Sequence, residues 1–195
     1  MPVTELALLR VKSEDSSSST KSTALEAQKA LTEYSGHQAT YLHQIEGPES
    51  FYLLGRWESI EKHTAGGQWA SSVANQDLHA KLKGSLDPST SKITLEAPVM
   101  AVTRCFVEAS KKSEFDAVFN VGVADLNAST APFTSCSAWR IDKEGEDEEF
   151  VLFSGWNQVQ DHFDFAGSEV SKEFRKIQAP MKDADVKHVR IERWE

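Results

Sequence analysis

The chain of 195 residues has only two cysteines, Cys105 and Cys136, each inside an apolar run. That excludes a disulfide-stapled scaffold and predicts two reduced, buried thiols. No apolar stretch approaches the roughly 20 residues that span a bilayer, so no membrane partner is expected. The N-terminus has no leader-like segment, which makes a cytoplasmic setting the default expectation. Basic residues are in the minority, 21 Lys and Arg against 30 Asp and Glu. They are also scattered, and a phosphate backbone needs a basic patch, so no nucleic-acid partner is expected. No His-x-His cluster, paired cysteines or HExxH spacing suggests a metal. No glycine-rich strand-to-helix turn suggests a nucleotide. The expected cofactor and metal content is therefore none. The densest acidic run, DKEGEDEE at 142–149, repels itself and reads as a solvated hairpin turn.

What the chain does have is repetition. Residues 51–63 read FYLLGRWESIEKH and residues 150–162 read FVLFSGWNQVQDH. Phe51, Leu53, Trp57 and His63 recur as Phe150, Leu152, Trp156 and His162, always 99 residues on. A domain-sized period implies a duplicated small domain. In the first half, strand-like TELALLRVK (4–12) precedes a polar loop (13–21) and a helix over 23–36. Strands follow at 39–47 and 51–59, then a helix over 60–86 and a closing strand at 92–99. The second half runs as strand 99–109, helix 112–126, strands 134–142 and 150–158, helix 159–178 and strand 186–195.

The expected fold class is α+β, two tandem ferredoxin-like β-α-β-β-α-β repeats at 1–97 and 98–195. Both faces of the third strand are apolar in each half: Phe51, Leu53 and Trp57 against Tyr52 and Leu54, Phe150, Leu152 and Trp156 against Val151 and Phe153. Neither face can meet water without cost. The expected solution packs the two sheets face to face as one intramolecular α+β barrel. Fusion removes the need to dimerise, so a monomer that is itself a pseudo-dimer is expected, with a homodimer left open.

A strand ending in Trp, followed by a helix with His in its first turn, resembles the dimeric α+β barrel superfamily. RWESIEKH (56–63) and the weaker GWNQVQDH (155–162) are similar to the phrase of its antibiotic-biosynthesis-monooxygenase-like family, here in a tandem fused, fungal-type form. The resemblance implies secondary metabolism and a small apolar or aromatic ligand, polyketide-like. Haem-degrading relatives carry a helix His and a nearby Trp. Trp69 and His79 imitate that spacing, but the Asn expected on the first strand is absent, so haem is rejected.

His63 and His162 are the candidate catalytic residues, weighed against a purely packing role. The positive end of a helix disfavours an imidazolium, which leaves a neutral base. Ser59 and Gln158 are placed to cap those helices, Ser59 the better suited. Trp57, Tyr34, His43, Tyr52, Trp69 and Trp156 are the candidate ligand-binding residues. Arg10 and Arg104, on the opening strands of their halves, are placed to orient an anionic ligand or to form surface ion pairs, the ion pair being favoured, and His79 and His188 read as exposed. Small residues follow His63, whereas Phe163 and Phe165 follow His162, so a cavity is expected in the first half. Three functions fit: a cofactor-independent cyclase, lyase or isomerase working by proton transfer, a cofactor-free monooxygenase, or a non-catalytic small-molecule-binding or stress-related protein.

Overall fold

The apolar run in VTELALLR draws Val3–Arg10 into strand β1. It opens a computed structural model that describes residues 1–11, 17–65, 76–83, 95–143 and 145–191. The fold is mixed α+β on antiparallel strands. The chain divides into two compact units, Met1–Leu86 with Val189–Glu195, and Asp87–His188.

In the first unit, β1 is followed by helix α1 (Ser17–Ser35), strands β2 (Thr40–Gln44) and β3 (Ser50–Trp57), helix α2 (Ile60–Ala65) and strand β4 (Gln76–Lys83). The strand order is β4-β1-β3-β2. Val3 faces Trp57 across the β1–β3 ladder and Arg10 faces Ser50. On the far side of β2, residues 42–44 pair with the chain end, Leu42 with Ile191 and Gln44 with Val189. α1 begins inside the polar stretch expected to be a loop.

The helix expected over 60–86 is corrected. α2 is described over Ile60–Ala65, residues 66–75 lie outside the described residues, and residues 76–83 form a strand paired with β1, Leu6 facing Ala80. Leu78 and Leu82 are four apart in sequence, a spacing that suits one face of a helix and one face of a strand alike. Backbone pairing decides for the strand. β4 thus takes the closing place assigned to 92–99, of which 92–94 lie outside the described residues.

The second unit contains β5 (Val99–Val107), a 3-10 turn (Ala109–Lys111), α3 (Lys112–Thr130), β6 (Cys136–Trp139) and β7 (Glu148–Trp156). Helix α4 (Val159–Gly167), a second 3-10 segment (Phe174–Gln178) and β8 (Met181–Ile191) complete it. Its strand order is β8-β5-β7-β6, with Val99 facing Trp156. Every residue of β7 is buried, as the two-faced apolar pattern requires. On its helix side Phe150 meets Phe115, Phe119 and Trp139 with ring centroids 4.8–5.0 Å apart, edge-to-face contacts that suit aromatic quadrupoles.

Two further expectations are corrected here. The helix expected over 159–178 breaks at Gly167. Ser168 is extended (φ −83°, ψ 161°), and both its N–H and its hydroxyl return to the Phe165 carbonyl, at 3.0 and 2.8 Å. That closes the helix with a local side-chain bond. The acidic run is not wholly solvated either, because Glu148 and Glu149 are buried in β7. Glu149 takes Arg104 at 2.6 Å and Arg140 at 3.0 Å, and Glu148 takes Lys112 at 2.9 Å and also Lys143. Buried carboxylates persist only when paired in this way. Among the described residues no helix is long and apolar enough to cross a membrane.

Candidate active site

The break after Gly167 turns the chain back over the β5–β7 face and leaves a cavity of about 250 Å³. Alternate residues of β5 (Thr103, Cys105) and β7 (Leu152, Ser154) form its floor, as the period of two dictates. Leu126 of α3, Phe165 and Ala166 of α4, and Phe174 and Ile177 of the 3-10 segment wall it. Phe163 and Val186 also line it while remaining 57% and 38% exposed, so they mark its mouth. The lining is mostly apolar.

His162 is the group there with acid–base capacity near neutrality. It is the fourth residue of α4 and projects back over β7, where its ring stacks on Trp156 at 5.0 Å and 25°. Trp156 is itself buried and fixed, its Nε1–H donating to Ser154 Oγ at 2.9 Å. His162 Nδ1 lies 2.9 Å from Nε2 of His188, which is 1% exposed. Two ring nitrogens at that distance share one proton, one donating and the other accepting. Burial, and then the neighbouring His188, push the His162 pKa down to about 4, so the ring is neutral at pH 7. This replaces the helix terminus as the cause of its neutrality. When Nδ1 donates to His188, Nε2 carries the lone pair and is the base.

Cys105 is no rival nucleophile. Burial pushes its thiol up to about 12, and the protonated thiol is inert.

His63 has different company, in the first unit. Its Nε2 is 3.4 Å from Glu5 Oε1, and Glu5 Oε2 accepts the Trp57 Nε1–H at 2.9 Å. The Trp57 ring meets the imidazole edge-on at 4.7 Å and 86°. All three side chains are buried. Gly55 makes room for the carboxylate, since a Cβ there would stand 3.0 Å from Glu5 Oε2. In the second unit Ser154 occupies the matching place and supplies the acceptor for the Trp itself. Ala101 pairs with Ser154 as Glu5 pairs with Gly55, so the second copy has no carboxylate there.

The remaining candidates scatter. Tyr34 is 47% exposed, 6.0 Å from Trp57 and under Lys62. His43 Nε2 is 2.7 Å from the Pro48 carbonyl of its own hairpin turn. Tyr52 is buried in β3. Trp69 and the two glycines at 66 and 67 lie outside the described residues, and with them most of the ground for expecting a cavity in the first half. The cavity described is in the second half, where Phe163 and Phe165 line the space instead of filling it. Ser59 Oγ does accept from the Lys62 N–H at 3.2 Å, whereas Gln158 bonds Asp161 instead of capping. His79 sits on strand β4, which removes the helix premise of the haem comparison. His188, read as exposed, is instead fully buried. Its one sequence signal is a place between Lys187 and Val189 in an alternating strand, too common a pattern to single it out. Among the described residues no group of three His, Cys, Asp or Glu could hold a metal ion.

No family model matches the chain, and no curated protein matches it. Solved structures do. An anthrone oxidase-like protein superposes with a TM-score of 0.69 at 12% identity, covering 98% of this chain and 92% of that one. A protein carrying the name monooxygenase, from Fusobacterium nucleatum subsp. nucleatum, gives 0.63 at 10% identity over 97% and 92%. A mutant chlorite dismutase from Candidatus Nitrospira defluvii gives 0.61 at 8% identity over 98% and 92%. These neighbours are dimeric α+β barrel proteins, and at such low identity the likeness establishes the shared fold.

Proposed function

We propose that the chain is a cofactor-independent enzyme that takes an apolar, oxygenated small molecule into the His162 cavity and removes an acidic proton from it. The observation that carries this reading is a neutral imidazole, backed by a second buried imidazole, on the wall of an apolar cavity. Burial, and then the neighbouring His188, make His162 a weak base when the cavity is empty, and among the described residues no carboxylate lines the cavity to offset an imidazolium. Proton abstraction from a carbon acid or phenol creates that countercharge at the moment it is needed. The pair forms in a medium of low dielectric, where the attraction is strong. His188 can take the Nδ1 proton in turn and spread the positive charge over both rings.

The carbanion or phenolate so formed can cyclise, eliminate or rearrange with no further reagent. A second reading follows from the neighbours named monooxygenase and anthrone oxidase-like: the carbanion meets dioxygen, and an activated CH₂ plus O₂ becomes C=O plus water. The strand orders β4-β1-β3-β2 and β8-β5-β7-β6 are the same order counted within each half. That supports reading the chain as two ferredoxin-like repeats in tandem fusion, similar to the antibiotic-biosynthesis-monooxygenase-like family.

Anthrone, an enolisable aromatic ketone, is a suitable first probe. Exchange of its methylene protons in anaerobic D₂O should be accelerated by the protein and slowed about 100-fold or more in His162→Gln, the scale of a lost general base. Exchange with oxygen uptake in air selects the oxygenase, and exchange without it selects the proton-transfer enzyme. If neither anthrone nor a panel of enolisable phenolic ketones exchanges faster with protein than without, His162 is not a base.

A further inference from the structure

Among the described residues the cavity has one cation in its lining. Arg175, from the 3-10 segment, faces it together with His162, and no acidic side chain among those residues lines it. The other two arginines of the second unit, Arg104 and Arg140, are both matched to Glu149, and Lys112 and Lys182 to Glu148 and Asp147. Among the described residues Arg175 has no carboxylate partner. Its guanidinium makes one hydrogen bond, from Nη1 to the Ala166 carbonyl at 3.3 Å. Ala166 lies four residues beyond His162, on the same face of α4. That bond tethers the head group to the last turn of the helix that carries the base. The other N–H groups of the planar fork remain for a ligand or solvent, and an Arg fork matches a carboxylate or phenolate better than any neutral group.

We infer that the cavity takes an anion: an apolar, aromatic-sized molecule with one ionised carboxylate or phenolate, held at Arg175 while its body lies among Leu152, Phe165 and Phe174. The inference rests on the proposed function and names its substrate class. A cation at that place also serves the chemistry, because an enolate or phenolate growing within reach of the guanidinium is stabilised as it forms.

The test compares 1-naphthoate with 1-naphthamide, nearly equal in shape and different in charge, by calorimetry at pH 7. Imidazole NMR of His162 shows whether each occupies the cavity. Naphthoate should bind roughly tenfold or more tighter than naphthamide, the scale of one charge-assisted pair. Arg175→Met should erase that preference and leave naphthamide affinity unchanged, and Arg175→Lys should restore part of it. If naphthamide shifts the His162 resonances and naphthoate binds no better, the anion inference fails while the cavity reading stands. Arg175→Met weakening both ligands equally would make Arg175 a structural residue. If neither probe moves His162, both readings fall together.

Discussion

An imidazole removed from water without a carboxylate beside it resists protonation, and that resistance is a stability term. His162 is held near pKa 4 by burial and by His188, whereas an unfolded chain protonates it near the ordinary 6.5. Between those values the unfolded state binds more protons, so the group costs the fold nothing above pH 6.5 and destabilises it progressively as pH falls toward 4. The full shift corresponds to about 3 kcal/mol, nearer 2 with partial solvent screening. Urea unfolding at pH 7.0 and 4.5 should therefore show a steeper loss for the native protein than for His162→Gln, and equal losses would remove the cause assigned here. At this scale the sequence marked His162 through the repeated Trp–His phrase but not its partner. His188 is 26 residues away, and its meeting with His162 depends on where the last strand begins, which no local pattern records.

Elements make the cavity by approaching one another closely at one point and not at another. Helix α3 lies against the 3-10 segment at Gly122, where a Cβ would stand 2.5 Å from the Phe174 Cα. A backbone atom cannot swing aside as a side chain can. Gly122→Ala should cost about 2–3 kcal/mol by overpacking and disturb ligand binding as well, because Phe174 walls the cavity. Gly167→Ala is the control: a Cβ there meets nothing within 4 Å, so its midpoint in urea should stay close to that of the native protein. Equal effects would mean that the close approach does not matter. At the entry to β7, Glu149→Leu leaves Arg104 and Arg140 without their shared buried carboxylate, an expected loss of about 3 kcal/mol, readable in the same unfolding experiment. Strands β1, β2, β3, β5, β6 and β7 were legible from sequence to within a few residues, whereas β4 was placed at 92–99 and β8 begins five residues before the expected 186. The two long second helices were not, because QDLHAKLK satisfies two periods at once and because the stop at Ser168 is a side-chain hydrogen bond, which apolar spacing does not reveal.

Across the whole molecule, one phrase written twice has been put to two uses. In the first copy glycine at 55 admits the Glu5 carboxylate, which receives Trp57 and lies beside His63. In the second, Ser154 receives the Trp156 N–H and His162 is left to a second imidazole and a cavity. The repeated phrase itself could be read from spacing, but the different surroundings of its two copies could not. They turn on Gly55 against Ser154 and on Glu5 against Ala101, pairs that lie across a ladder and not along the chain. The difference predicts opposite responses. Glu5→Leu strips the acceptor from a buried Trp57 N–H and the carboxylate from His63, a loss of about 3 kcal/mol. For a chain of this length that lowers the melting temperature by roughly 6–12 °C. Anthrone proton exchange measured well below that melting point should stay at the native rate. His162→Gln should do the reverse at pH 7, keeping the melting temperature within a few degrees while exchange collapses. A Glu5→Leu protein that stays folded and loses exchange in parallel with His162→Gln would show that the first copy also takes part in the chemistry.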